Sequence, residues 1–399
     1  KIIEILEKAP CRIESDCSTY SRCGGCVMRH INYDDTIAMK KNAVESTLKK
    51  ALGREVFIDD VLKMDDPYFY RNKLQYPIGL DEEAKPVMGV FAERTHRIIP
   101  TKECMIQDKL SQEIANDIFD FVKQNKISVY NEKTLKGALR HIVIRYGKKT
   151  EEVMVTLVTN QRKIEKEFEL VKYITEKYSQ IKTIVKNIND KNTNVILGRE
   201  NEVLFGDGYI TDYLGDYKFK ISPMSFYQVN PVQTEKLYSK AVEYAELTGS
   251  ETVFDLYCGI GTIGIFASKN VKKLYGIETV PEAIKDAKEN AKENNLDNAE
   301  FFVGDVEVTL PEFIKERNIT PDVVFVDPPR KGCDEKTLSL INTISPEKLV
   351  YVSCNSATLA RDVAILKDYG YVLKKACAVD LFPNSTHVEC VVLMSRVNT

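Results

Sequence analysis

Tyr351-Val-Ser-Cys354-Asn-Ser-Ala-Thr358 puts a thiol where an apolar, β-branched run, Lys348-Leu-Val-Tyr-Val-Ser353, gives way to helix-capping residue types. That pattern reads as a strand-to-helix turn. In an open α/β sheet such turns lie at the carboxyl ends of the strands, the edge where ligands bind, so Cys354 is placed to reach a substrate as a thiolate. The plainer alternative is a half-buried structural cysteine, since free Cys is among the most buried residue types.

A second group of thiols lies near the other end of the chain. Cys17-Ser-Thr-Tyr-Ser-Arg-Cys23-Gly-Gly-Cys26 supplies three, its glycines allow the left-handed backbone that wraps a metal centre, and Cys104 is the candidate fourth. Four thiolates hold an iron–sulfur cluster or a zinc ion, and spacing alone leaves both open. Only Cys23 and Cys26 form a CxxC knuckle, where a zinc ribbon usually shows two, which leans toward the cluster.

Four apolar runs of the C-terminal part are followed by acids. Thr252-Val-Phe-Asp255 leads into Gly259-Ile-Gly261-Thr-Ile-Gly264, whose glycines let the backbone bend under a nucleoside. Leu274-Tyr-Gly-Ile-Glu278 ends in an acid suited to ribose hydroxyls, and Phe301-Phe-Val-Gly-Asp305 in one suited to an adenine amino group. A dinucleotide fold would show the same features. Asp322-Val-Val-Phe-Val-Asp327-Pro-Pro-Arg330 separates the two. Its prolines remove backbone donors and fix the turn, holding Asp327 at the methyl end of a methyl donor, as in methyltransferases that act on nucleobases.

The elements that must position these residues fall into two textures. Residues 33 to 52, with apolar positions 37, 44, 48, 51 and 52, form one amphipathic helix ending at Gly53. From about 56 to 225 come short β-like runs interrupted by helices near 107 to 125 and 161 to 178, which predicts a largely antiparallel sheet with helices on one face. From 226 onward strands alternate with helices, the signature of a doubly wound sheet. The expected organisation is therefore an α+β domain over 1–225, carrying the four-cysteine group, followed by a Rossmann-like α/β domain with a doubly wound sheet over 226–399.

The 399 residues carry a net charge of −3, so any nucleic-acid surface has to be a local patch. Lys136 to Lys149 holds five basic residues and no acid, and Tyr70-Arg71-Asn-Lys73 and Arg94-Thr-His96-Arg97 add aromatics and charge. Phosphate contact plus stacking is how single-stranded RNA is held, although a solvated strand face is the ordinary reading of any one of these residues. There is no apolar run long enough for a membrane span and no signal-peptide pattern, so ten cysteines suggest a cytoplasmic protein using thiols for metal or catalysis.

With Asp327-Pro-Pro-Arg330-Lys-Gly332, Leu349-Val-Tyr-Val-Ser-Cys354-Asn-Ser-Ala-Thr358, Val379-Asp380-Leu-Phe-Pro-Asn384-Ser-Thr-His387-Val-Glu389 and Ser225-Phe-Tyr-Gln228-Val-Asn230 in place, the chain resembles the TrmA/RumA family of RNA 5-methyluridine methyltransferases. The thiol group at 17, 23, 26 and 104 resembles that of the RumA-like branch, whose members carry a [4Fe-4S] cluster and methylate 23S ribosomal RNA. Two departures stand out. Asn384 replaces the family's usual Gln, His or Tyr, and the N-terminal TRAM barrel is missing, residues 1 to 10 reading as its exit.

The resemblance implies that Gln228, Tyr257, Glu278 and Asp327 contact S-adenosylmethionine, with Thr262 and Asp305 as further contacts. It implies Cys354 as nucleophile, Glu389 as general base, and Cys17, Cys23, Cys26 and Cys104 as cluster ligands. Thiolate attack at carbon 6 of uracil would make carbon 5 nucleophilic, and the helix after Cys354 is expected to lower the thiol's pKa. The partner is RNA, with no membrane, and the enzyme is expected to be a monomer. The alternatives are the same chemistry on the tRNA T-loop uridine and, from another class, a non-catalytic RNA-binding or assembly factor.

Overall fold

The computed structural model describes residues 5–396. Residues 1–4, part of the segment expected to leave a barrel domain, and the last three residues lie outside the described residues. Among the described residues no helix is long and apolar enough to cross a membrane.

The expected helix spans Tyr33–Leu52. Asn32 caps it by accepting from the Asp35 amide, and Gly53 ends it at φ +65°, a left-handed conformation that glycine adopts without a Cβ clash. Its buried face, Val44, Leu48 and Leu52, joins one core with Phe254, Tyr351 and Val392 of the C-terminal part. A buried ion pair fixes the contact: Lys40 donates to Asp380 at 2.5 Å, and Tyr33 donates to the other oxygen of that carboxylate at 2.7 Å.

The first sheet has seven strands: β1 (Lys73–Leu80), β2 (Pro86–Phe91), β3 (Ile98–Pro100), β4 (Leu139–Tyr146), β5 (Val153–Thr159), β6 (Ile181–Ile188) and β7 (Glu200–Phe205). They run β3-β2-β1-β4-β5-β6-β7. All neighbours are antiparallel except β5 and β6, which are parallel because the helix Glu167–Lys177 crosses between them. That helix and Lys109–Gln124 bury Ile114, Ile118, Leu170 and Ile174 against Leu74, Ile142 and Leu157 of the sheet.

A hairpin of β8 (Ile210–Leu214) and β9 (Tyr217–Ile221) leads into the second seven-stranded sheet. Its strands are β10 (Thr252–Leu256), β11 (Lys273–Glu278), β12 (Ala299–Val303), β13 (Val323–Val326), β14 (Lys348–Ser353), β15 (Tyr371–Val379) and β16 (Glu389–Arg396). The order is β12-β11-β10-β13-β14-β16-β15. The first five are parallel, each pair joined through a helix, and read as buried apolar runs because both faces are covered. β16 inserts antiparallel between β14 and β15. The strand order reverses between β10 and β13, and a ligand crevice belongs at their carboxyl ends.

Candidate active site

Each acid predicted from a strand end lies on that crevice, and the backbone shows why. Tyr257, just past β10, sits at φ +65°, an unusual conformation for a side chain of that size and one that recurs at functional turns. Gly259 and Gly261 follow at φ +56° and +81°. A Cβ on Gly264 would come within 2.9 Å of Asp255 Oδ2, the oxygen that accepts the Gly264 amide at 2.9 Å. The turn is thus drawn back onto the strand. Glu278 ends β11 with one oxygen accepting from Gly259 N at 3.2 Å and the other from Val280 N at 3.0 Å. Asp305 caps the helix Val306–Arg317 by accepting from Glu307 N.

Gln228, Tyr257, Thr262, Glu278, Asp305, Asp327, Cys354 and Glu389 all line one cavity of about 690 Å³. Cys354 follows β14, and Glu389 opens β16. Because the two strands are antiparallel, with Ser353 opposite Cys390, the end of one meets the beginning of the other. Cys354 follows its strand whereas Glu389 is the first residue of its own, and the antiparallel direction of β16 is what brings it to this edge.

Burial sets the electrostatics. Glu389 is only 4% exposed, and desolvation, followed by the nearby Asp327 charge, pushes its pKa up to about 8 against the pull of Arg330. Asp327 and Asp255 are pushed to about 7 mainly by desolvation. The expected lowering of the Cys354 pKa is overturned: it is raised, first by desolvation, then by Glu389 and Asp327, with only Arg330 and a backbone donor opposing. The helix Ser356–Asp368 does follow the thiol, but the Asn355 side chain accepts from the Ala357 amide, so a neutral cap takes a free donor of the first turn.

Several lining residues were not singled out as site residues from the sequence. Arg330, after the paired prolines, is the charge that opposes ionisation losses at both Cys354 and Glu389. Tyr238 reaches Thr262 at 3.2 Å across the cavity floor. Behind the lining, the buried Thr337 donates to Glu307 at 3.2 Å and bonds the Tyr257 hydroxyl at 2.9 Å, bracing two residues that do line the cavity. Asp255 was legible as a strand-end acid; the helix residues Tyr238 and Thr337 carry no sequence signal that separates them from core.

The four N-terminal thiols also come together. Cys17, Cys23, Cys26 and Cys104 line a separate cavity of about 230 Å³, with Arg29 and Arg71. Gly24 sits at φ +71°, and a Cβ there would lie 2.8 Å from Glu93. Gln112 clamps Cys104 through its amide at 2.5 Å and its carbonyl at 3.1 Å. Burial raises the thiol of Cys26 to about 12, with Cys104 next among the causes. Among the described residues no group of three or more His, Cys, Asp or Glu side chains is arranged to hold a metal ion.

The sequence model described as tRNA (uracil-5-)-methyltransferase matches residues 32–397. The chain belongs to that family. An uncharacterized RNA methyltransferase of Clostridium acetobutylicum is 48% identical over 402 residues, covering 100% of this chain and 87% of its own. One of Bacillus cereus is 45% identical, with 100% and 86% covered. Among solved structures, the tRNA (uracil-54, C5)-methyltransferase of Pyrococcus abyssi, in complex with S-adenosyl-L-homocysteine, superposes with a TM-score of 0.79 at 31% identity, covering 98% of this chain and 88% of that one. The protein is an S-adenosylmethionine-dependent RNA (uracil-5-)-methyltransferase, and its fold is the mixed α/β fold of such enzymes.

Proposed function

We propose that the enzyme methylates carbon 5 of a uridine in 23S ribosomal RNA through a covalent adduct between Cys354 and carbon 6. The observation that supports the covalent chemistry is the meeting of Cys354 and Glu389 at one end of β14 and β16, inside the cavity that also holds Asp327, while the ribosomal target rests on the resemblance of the Cys17, Cys23, Cys26 and Cys104 group to the RumA-like branch.

S-adenosylmethionine supplies an electrophilic methyl group on its sulfonium. Gln228, Tyr257, Glu278 and Asp327 would hold it, with Thr262 and Asp305 on the nucleoside side. Asp327 and Glu389 ionise more readily beside a cation, which offsets the burial that keeps them protonated in the free enzyme. Cys354 loses its proton to solvent, favoured by Arg330, and adds to carbon 6 of the uracil. The electron pair of the 5,6 double bond moves to the carbon-4 oxygen, and carbon 5 of the enolate then takes the methyl as its bond to sulfur breaks, the electron pair staying on sulfur and S-adenosylhomocysteine leaving. Glu389 then removes the proton left on carbon 5. The thiolate departs from carbon 6 and the double bond reforms. A stacked uridine offers neither carbon to these groups, so the target is unpaired or flipped out.

Residues 1–225 are read as the RNA-binding domain bearing a [4Fe-4S] cluster on Cys17, Cys23, Cys26 and Cys104, and 226–399 as the methyl-transfer domain of a cytoplasmic monomer. Four thiolates hold either a zinc ion or a cluster, and the single CxxC knuckle of Cys23 and Cys26, where a zinc ribbon usually shows two, favours the cluster. Arg71 Nε and Arg29 Nη1, buried without a partner, are the donors such a charge requires. The cluster would supply a rigid, anionic brace for the segment around Gly24. The second reading, methylation of a tRNA uridine, is favoured by the Pyrococcus enzyme's substrate. Methylation of ribosomal RNA and tRNA lacking 5-methyluridine, with the product mapped by mass spectrometry, decides between them. Product confined to tRNA would sink the ribosomal assignment.

A further inference from the structure

A third cavity, about 610 Å³, opens where β2, β1 and β4 adjoin, and nothing in the methyl-transfer chemistry uses it. Its distinctive member is His141, on β4 opposite Pro77 of β1. His141 is 9% exposed, and neither ring nitrogen has a hydrogen-bond partner. Desolvation, then Arg140 and His96, hold its pKa down at about 4, so the ring is neutral near pH 7 and presents one donor and one acceptor. Leaving both unmatched in a buried ring is costly unless a ligand matches them.

The walls are aromatic. Phe91 meets His141 edge-on, ring centroids 6.4 Å apart at 78°, and stacks on His96 at 5.3 Å and 26°. Arg140 lies 4.3 Å over Tyr130, spends one nitrogen on the carbonyls of Asn189 and Lys191, and keeps a buried Nε unpartnered. At the mouth most acids are already engaged. Asp81 accepts from the Glu83 and Lys85 amides, Glu83 pairs with Lys85, and Glu132 with His96. Among the described residues Arg97, Lys133 and Arg140 have no carboxylate partner, and because Asp81, Glu82 and Glu132 keep their charge in the same lining, phosphate contact falls to Arg97 and Lys133 individually and not to a net positive mouth.

A flat ring with a donor–acceptor edge, attached to phosphate, fits these features together. We propose that this cavity binds an unpaired nucleobase of the RNA strand at a distance from the target uridine. His141 reads its edge, Phe91, backed by His96, meets its face, and Arg97 and Lys133 meet its phosphates. The inference rests on the enzyme acting on RNA, and neither on which RNA nor on the role of Cys354. The spacing is workable. Asn72, beside Lys73 at the start of β1, donates to the Gln228 carbonyl at 3.1 Å, and Gln228 lines the methyl-transfer cavity. Pro77 lies roughly 13 Å further along that strand at ~3.3 Å per residue, a gap that a few nucleotides span.

The chain has four histidines, at 30, 96, 141 and 387, so ¹⁵N-histidine NMR resolves the sites. The purified enzyme, its cysteine site intact, is titrated with single-stranded hexa-adenylate and hexa-uridylate, with AMP and UMP, and separately with S-adenosylhomocysteine. The proposal expects an oligonucleotide to shift His141 and His96 saturably while His30 stays still, and S-adenosylhomocysteine to leave His141 unmoved. Phe91→Ala should weaken oligonucleotide binding about tenfold, in keeping with the loss of one stacked base. His141→Gln, which keeps a donor and an acceptor, should bind better than His141→Ala. An unmoved His141 with every probe overturns the proposal even if both variants misfold. Equal affinity for AMP and the oligonucleotides overturns the RNA assignment in favour of a free nucleotide. Neither result depends on methyl transfer, so failure of the covalent mechanism is read separately.

Discussion

Cys354 and Glu389 lie one step beyond a register pair of β14 and β16, Ser353 opposite Cys390, so a thiol and a carboxyl 35 positions apart in the chain share one end of one strand pair. The thiol is half-buried, and the carboxyl is its largest raising charge after desolvation itself. Addition by one and proton removal by the other can then act on adjacent ring carbons.

If Glu389 acts only after methyl transfer, Glu389→Gln should stall the reaction late. Turnover is expected to fall by a factor on the order of 10²–10⁴. The methylated adduct should accumulate as a protein–RNA band that survives denaturation, and Cys354→Ala should show neither turnover nor band. Equal loss without any band in Glu389→Gln would place the carboxyl before attack.

The raised carboxyls make stability pH-dependent. Asp255, Asp327 and Glu389 have folded pKa values near 7, 7 and 8, above their ordinary 3.8 and 4.5. The fold therefore favours their protonated forms. Their contribution is fully present below the ordinary carboxyl range and is lost as pH rises through 7 to 8, by up to about 1.4 kcal/mol per pH unit for each group. The ligand-free melting temperature should drop between about pH 4.5 and about pH 8 and level off above that, less steeply in Glu389→Gln. Parallel curves for the two proteins would show that Glu389 ionises freely.

Lys40 and Asp380 tie the helix Tyr33–Leu52 to the segment that leads to Glu389. Lys40→Ala leaves a fully buried carboxylate with Tyr33 as its remaining side-chain donor. Removing one partner of a buried pair costs about 3–5 kcal/mol, read as a lower urea midpoint. A loss below about 1 kcal/mol would mean that the pair behaves like a surface bridge.

The thiol cavity gives a fourth expectation. Anaerobically purified enzyme should hold iron and sulfide with visible absorbance, and Cys26→Ser or Cys104→Ser should lose both. Zinc in stoichiometric amount, with no sulfide, would replace the cluster reading.

What the sequence made legible was local. The strand-to-helix turn at Cys354, the glycine turn after Asp255 and the strand-end acids Glu278, Asp305 and Asp327 are read from neighbours a few positions away, and they stand where those patterns put them. What it hid was convergence. The Cys354 pKa was misjudged because a helix terminus is visible in sequence, whereas Glu389 and Asp327 approach the thiol only through the pairing of β14 with β13 and β16. His141 reads as one residue of a basic strand, and its buried, unpartnered ring emerges only when β1 and β2 close around it.

The most direct test of the covalent mechanism is a trap. Fluorine at carbon 5 cannot be removed as a proton, so enzyme incubated with S-adenosylmethionine and 5-fluorouridine-substituted ribosomal RNA should stop at the methylated adduct. Mass spectrometry of the digested complex is predicted to place a methylated fluorouridine on the peptide containing Cys354. Active enzyme that forms no adduct with either ribosomal RNA or tRNA so substituted, or forms it on another cysteine, would contradict the account.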